Sequence, residues 1–274
     1  MRKIFLAFFS ICFSQMDAQE LYPSSEPASN MAAHSIGLRL KGEYDPQQNY
    51  FINPGNDRTS FYRLNSEIMW GAGKKWMLHL DLFAGNTFAD ALKFNGASVY
   101  AKYRFFSNDE VRSHFRMAAY GRISKIDSPI ISDEINLSGD NSGCGGGIVA
   151  TQLLHKIALS FTGGYLKAGD NVSDKLMDER ADALNYSFSA GYLFLPFHYH
   201  DYSQPNLNLY AEFIGKTNLN SGKNYIDIAP ALQLILNSIM RIDFIYEQQL
   251  QGNMLRMSEK FFALRIEYNL LNAY

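Results

Sequence analysis

Ionisable residues recur at even spacings along the chain: Arg39, Lys41 and Glu43; Arg63 and Glu67; Lys75 and Asp81; Lys102 and Arg104; Arg116 and Arg122; Glu212 and Lys216; Asp227; Arg241, Asp243 and Glu247; Arg265 and Glu267. Acids and bases interspersed in this way can line a passage that selects small polar solutes, or can pair with one another and fill an interior. A ring of one sign would argue for ion selectivity, and this mixture does not. Arg63, Lys102, Arg104 and Arg116 would form a basic patch favouring anionic solutes if they converge.

Other constellations carry less chemistry. Gly139-Asp140-Asn141-Ser142-Gly143 has the outline of a serine nucleophile loop, but Asn141 breaks the spacing and no His and Asp context accompanies it. Gly143, Gly145, Gly146 and Gly147 precede no Lys-Ser/Thr and no helix, so they are read as backbone that bends or approaches closely, not as a phosphate cradle. His198, His200 and Asp201 offer two imidazoles and a carboxylate on one turn, without the partner set a zinc site needs. No catalytic, cofactor-binding or metal-ligating residue is therefore assigned.

Even spacing is the mark of strands, whose side chains alternate between two faces. From His34 to Tyr44, Ile36, Leu38 and Leu40 oppose Arg39, Lys41 and Glu43; from Lys75 to Gly85, Trp76, Leu78, Leu80 and Leu82 oppose His79 and Asp81. The same scheme runs to the end of the chain, where Phe262, Leu264, Ile266, Tyr268 and Leu270 oppose Arg265 and Glu267. Only Gly143 to Leu153 is ambiguous in facing. About twelve strands result, the even number that single-chain bacterial barrels use. Connections near 45–57, 86–95, 125–142, 167–181, 217–222 and 249–260 are the longer set. Those at 71–74, 107–112, 154–155, 196–205 and 237–238 are short turns, with 196–205 the exception.

The chain has 274 residues, 47% hydrophobic, 14% aromatic and 19% charged, with a mean hydropathy of -0.20. Disorder is excluded by the apolar and aromatic content, and a bundle of membrane helices by the lack of long apolar runs beyond the first residues. A membrane β-barrel remains, because only alternate residues of its strands meet lipid. One face is crowded with charge and the other is nearly free of it, and Trp70, Trp76, Tyr103, Phe105, Tyr192 and Phe194 fall near strand ends, as interfacial girdles require. Twelve strands enclose more than apolar side chains can fill, so the interior is expected to be polar.

Met1 to Gln19 reads as a secretory signal peptide: Arg2 and Lys3, an apolar run from Ile4 to Phe13, then small and polar residues up to Ala18 and Gln19. Its removal takes away Arg2, Lys3 and Asp17 and makes the formal net charge of -2 one unit more negative. Neither sign dominates enough to imply nucleic acid as a partner. Residues 20–33 are expected as a periplasmic N-terminal segment and 34–274 as the barrel. Too few residues precede the first strand for an independent plug domain.

The run Ser25, Glu26, Pro27, Ala28, Ser29, Asn30 and Met31, with His34 to Arg39 after it, resembles the opening of a family of outer-membrane β-barrel proteins in Bacteroidota. The leader ending in Ala18 and Gln19 and the run from Leu137 to Gly147 resemble the same group. The aromatic-terminated last strand, ending at Tyr274, is similar to the one the barrel-assembly machinery recognises. The resemblance implies location and fold but names no chemistry. The expected whole is an all-β, antiparallel, up-and-down transmembrane barrel in the outer membrane, with short periplasmic turns and longer outer loops. Its expected partners are membrane lipid, the assembly machinery and small polar solutes passing through a porin-like or transporter-like conduit. A non-conducting structural or surface-interaction barrel is the alternative. A barrel-embedded lipid hydrolase would need Ser, His and Asn together on the outer face, whereas His79 and His114 fall on the polar face.

Overall fold

In a computed structural model, residues 22–46, 60–87, 91–111, 113–129, 132–170, 182–197 and 204–274 are described. They form twelve strands in one closed barrel. In chain order these are β1 (Ile36–Asp45), β2 (Phe61–Trp70), β3 (Trp76–Gly85), β4 (Lys93–Glu110), β5 (Ser113–Ile126), β6 (Gly143–Leu154), β7 (Ile157–Ala168), β8 (Asp182–Leu195), β9 (Asn206–Asn218), β10 (Asn224–Leu236), β11 (Met240–Gly252) and β12 (Lys260–Leu270). Each pairs antiparallel with its chain neighbours. β1 closes on β12, from Ile36 opposite Leu270 to Tyr44 opposite Phe262. Closure matters because lipid offers no hydrogen-bond partner, so every backbone group must pair along the sheet.

The alternation read from the sequence sets which face is which. Leu38, Leu40, Leu82, Val99, Phe161, Phe188, Leu232 and Phe244 are exposed on the outside. Asp81, Lys102, Glu212, Gln233, Asp243 and Arg265 are buried within, and Arg39 is half-buried on the same side. Aromatics gather toward both ends of the outer face: Tyr44 stacks on Tyr62 and Tyr246 lies against Phe262 at the loop end, while Trp76 lies against Tyr103 at the turn end. The ambiguous β6 resolves with Val149, Thr151 and Leu153 inside and Ile148 and Leu154 outside. Gly143 has φ +148, and a Cβ there would lie 2.2 Å from the Lys167 carbonyl oxygen, so only glycine fits that strand start.

The short turn expected at 107–112 is tighter in the structure. A register shift between Arg104 and Phe106 lets β4 run on to Glu110, opposite Ser113. Asp109 holds this extension by accepting bonds from Ser107 and Arg116 and meeting His114 Nδ1 at 2.8 Å. β11 likewise runs to Gly252, past the expected loop start at 249.

Inside the wall, tyrosines lie flat over glycines of the adjacent strand, which fills the space a side chain would occupy and keeps the lumen wall thin. Gly191 pairs with Tyr210, and a Cβ on Gly191 would lie 2.2 Å from the Tyr210 ring. Gly191→Ala should therefore cost about 1–3 kcal/mol by overpacking. In a double-mutant cycle with Tyr210→Ala, measured by urea unfolding in detergent, most of that cost should disappear; full additivity would contradict the contact.

Candidate functional site

Residues 20–33 are the segment expected in the periplasm. Within that segment, Tyr22 to Met31 lies inside the barrel, where its apolar and charged side chains meet inward apolar and charged groups of the wall. Tyr22 is buried against Tyr210, Ala229, Ala231, Ile245 and Ala263, which project inward from β9 to β12. Ala28 packs on Ala118 and Val149. Glu26 meets Arg39 at 2.6 Å and Lys102 at 3.5 Å.

The outer end is narrowed by residues folded inward from two connections, 132–142 and 253–259. Ile135 and Leu137 bury against Leu166 and Ala183 of the wall. Glu134 binds Lys216 at 2.7 Å and Arg256 at 3.0 Å and accepts a hydrogen bond from Tyr225. Arg256 also reaches Asp227 at 2.8 Å and lies over the Tyr225 ring. The two connections join directly: Asp133 N donates to the Leu255 carbonyl, and Leu255 N donates to the Asp133 carboxylate. The 139–143 motif takes part in this closure. Asp140 meets Arg63 at 3.4 Å, Asn141 accepts from Asn136 N, and Ser142 exchanges bonds with the Ile126 backbone.

Burial alone would raise the Glu134 carboxyl, but Lys216 and Arg256 outweigh it and hold the group well below the usual carboxylate range. A depressed carboxylate contributes its stability above its unfolded value and loses it only as pH falls through the folded one. The closure should thus persist at pH ~4, where an ordinary carboxylate is largely protonated. Hydrogen-exchange protection of the 132–142 amides should change little between pH ~7 and pH ~4. In Glu134→Gln it should fall about tenfold or more at pH ~7, since charged hydrogen bonds contribute roughly 1.5–3 kcal/mol. Loss of wild-type protection at pH ~4 would contradict the clasp.

Between the inner segment and the folded loop lie two cavities, of about 140 Å³ and about 260 Å³. They share Ser24, Ser25 and Glu26 below, and Arg122 and Ser138 above. Arg122, which lines both, pairs with Asp81 at 3.1 Å, donates to Ser138 and covers the Tyr100 ring.

The charges assigned from the sequence turn inward, and most are matched. Arg39 bonds Glu67 at 2.8 Å and Glu267 at 2.7 Å as well as Glu26. Arg241 pairs with the same Glu267, and Arg265 with Asp243. Lys41 and Arg63 share Glu43, at 2.7 and 2.9 Å. The basic patch does not form. Arg63 stands beside Asp140 of the outer loop, Lys102 donates to the Pro27 and Ser29 carbonyls, Arg116 is tied to Asp109, and Arg104 donates to the Lys74 carbonyl at the turn end. Glu26, Glu67 and His79 bring ligand atoms within 4.8 Å of one another. Arg39 already bonds both carboxylates, so the charge that a metal ion would neutralise there is neutralised. His198, His200 and Asp201 lie outside the described residues. Both strand histidines, His79 and His114, point inward.

Comparison with solved structures adds the setting. The chain superposes on an outer membrane channel from Pseudomonas putida F1 with a TM-score of 0.58, at 10% identity over 92% of this chain and 100% of that one. It superposes on the NanC porin with a TM-score of 0.50, at 11% identity over 85% of this chain and 100% of the porin. The fold is the closed antiparallel β-barrel of those two proteins. No family model and no curated protein matches the sequence.

The groups missed in the sequence are Glu26, Glu134, Asp140 and Arg256, which reach the lumen from segments placed outside it. One signal was present. Val149, Leu153, Leu166, Ile235, Ile245 and Phe261 are apolar at inward parity, which a water-filled lumen does not require but an occupied one does.

Proposed function

We propose that the protein is a passive outer-membrane conduit for small polar solutes, exported by a leader ending near Gln19 and inserted by the barrel-assembly machinery. Its resemblance to a Bacteroidota barrel family is part of the same reading. The observation that carries it is the pair of cavities that both border Arg122, walled in part by acids and bases already paired with one another. A matched wall solvates neutral and zwitterionic solutes without holding a net counter-charge, so neutral sugars and amino acids fit it better than simple ions. No chemical step is involved.

Swelling of proteoliposomes in isotonic sugars and amino acids of graded size tests this. Small neutral solutes should enter and larger ones should not. Arg104→Ala, at the turn-end rim, should leave the size limit unchanged, while Arg122→Ala should raise uptake. Absence of swelling with a correctly folded barrel would favour the second reading, a structural or surface-interaction barrel, which the self-paired interior and the folded outer loop support.

A further inference from the structure

We propose that the lumen wall is a binding site for an extended polypeptide main chain, and that residues 22–29 are its built-in, displaceable occupant. The contacts reaching this segment go to its backbone as well as to the side chains of Ser25, Glu26 and Ser29. Glu212 accepts from Ser24 N at 2.6 Å and Ser25 N at 3.0 Å. Thr151 Oγ1 accepts from Ala28 N, Lys102 Nζ donates to the Pro27 and Ser29 carbonyls, and Arg265 donates to the Tyr22 carbonyl. Donors and acceptors thus come from β4, β6, β9 and β12 to read successive peptide groups, the pattern expected of a site that recognises an extended chain.

Two further observations separate this from ordinary packing. Lys102 is fully buried, and so is Glu212. Its partners are the two amides, the Ser25 hydroxyl and Ser189. Without an occupant, the carboxylate would keep Ser189 alone. The segment itself contributes no strand, and Pro23 and Pro27 cannot donate to a ladder. The contacts named above come from side chains of the wall, and the chain meets the sheet backbone at His34 and Ser35, which both bond Gly71, so residues 22–29 can leave without breaking a strand pair.

The proposal rests on the lumen of the conduit reading, but binding in detergent requires no conduction. In a barrel deleted for residues 22–31, a fluorescent peptide of that sequence should bind saturably by anisotropy. Lys102→Met and Glu212→Gln should each weaken it at least tenfold, as should N-methylation of the peptide at Ser24 and Ser25. Failure to bind, or binding indifferent to all three changes, overturns the proposal. Binding without solute uptake contradicts the conduit alone. Should the deleted barrel not assemble, full-length protein carrying Ser25→Cys and Cys144→Ser supplies the test. Maleimide labelling at position 25 should accelerate at least tenfold with millimolar peptide of residues 22–31, and no acceleration overturns displacement.

Discussion

Leu234→Arg is expected to abolish recovery of folded barrel from the membrane. Leu234 faces outward, with Leu207 and Ile242 as its cross-strand neighbours, so an arginine there meets only aliphatic surface and lipid. An arginine on the lipid face costs about 2–4 kcal/mol at the midplane and less toward the interfaces. Leu232, paired with Leu209 and Phe244 one step nearer mid-strand, should be more sensitive still. The contrast is Gln233, between them in sequence and buried in the lumen, where it accepts bonds from Asn208 and Tyr210. Gln233→Glu should assemble at nearly normal yield, because its neighbours can donate to the added charge. The heat-modifiable band on unboiled gels measures both. Normal yield of Leu234→Arg would reverse the assigned faces.

The second large effect is expected at Arg39. Its guanidinium binds Glu26, Glu67 and Glu267 together, so Arg39→Met leaves three carboxylates around a methionine. Removing one partner of a buried ion pair typically costs about 3–5 kcal/mol, because the remaining charge is stranded. Arg39→Lys should recover only part of this, since one ammonium cannot reproduce the planar fork that reaches three acceptors. Urea midpoints in detergent, compared at constant m-value, give the difference. Stability of Arg39→Met equal to wild type would mean that water replaces the network at little cost.

Strand number, facing and the aromatic ends were legible because one period, two residues, governs them all. Phe262 to Leu270 can be read residue by residue into lipid, and Arg265 and Glu267 into the lumen. What the period does not encode is what enters the barrel from its ends. Glu26 and Glu134 have no periodicity, and their partners, Arg39 and Lys216, looked like solvated lining because both acids lie outside the strands, Glu134 82 residues from its base. The spread of basic residues is a similar case. Arg104 and Lys102 share a face in sequence, yet the register shift at Arg104 to Phe106 and the length of β4 carry Arg104 to the turn-end rim. Inward apolar residues such as Val149 and Ile245 were the trace of an occupant, legible only once the lumen side was known.

Planar-bilayer recording of the wild-type protein under a salt gradient tests the central claim most directly. Small, discrete conductance steps are expected, with a reversal potential near zero because the lumen charges are paired, and unchanged in Arg104→Ala. A folded barrel that inserts and yields no steps would contradict a conduit. A strong anion preference lost in Arg104→Ala would contradict the matched interior.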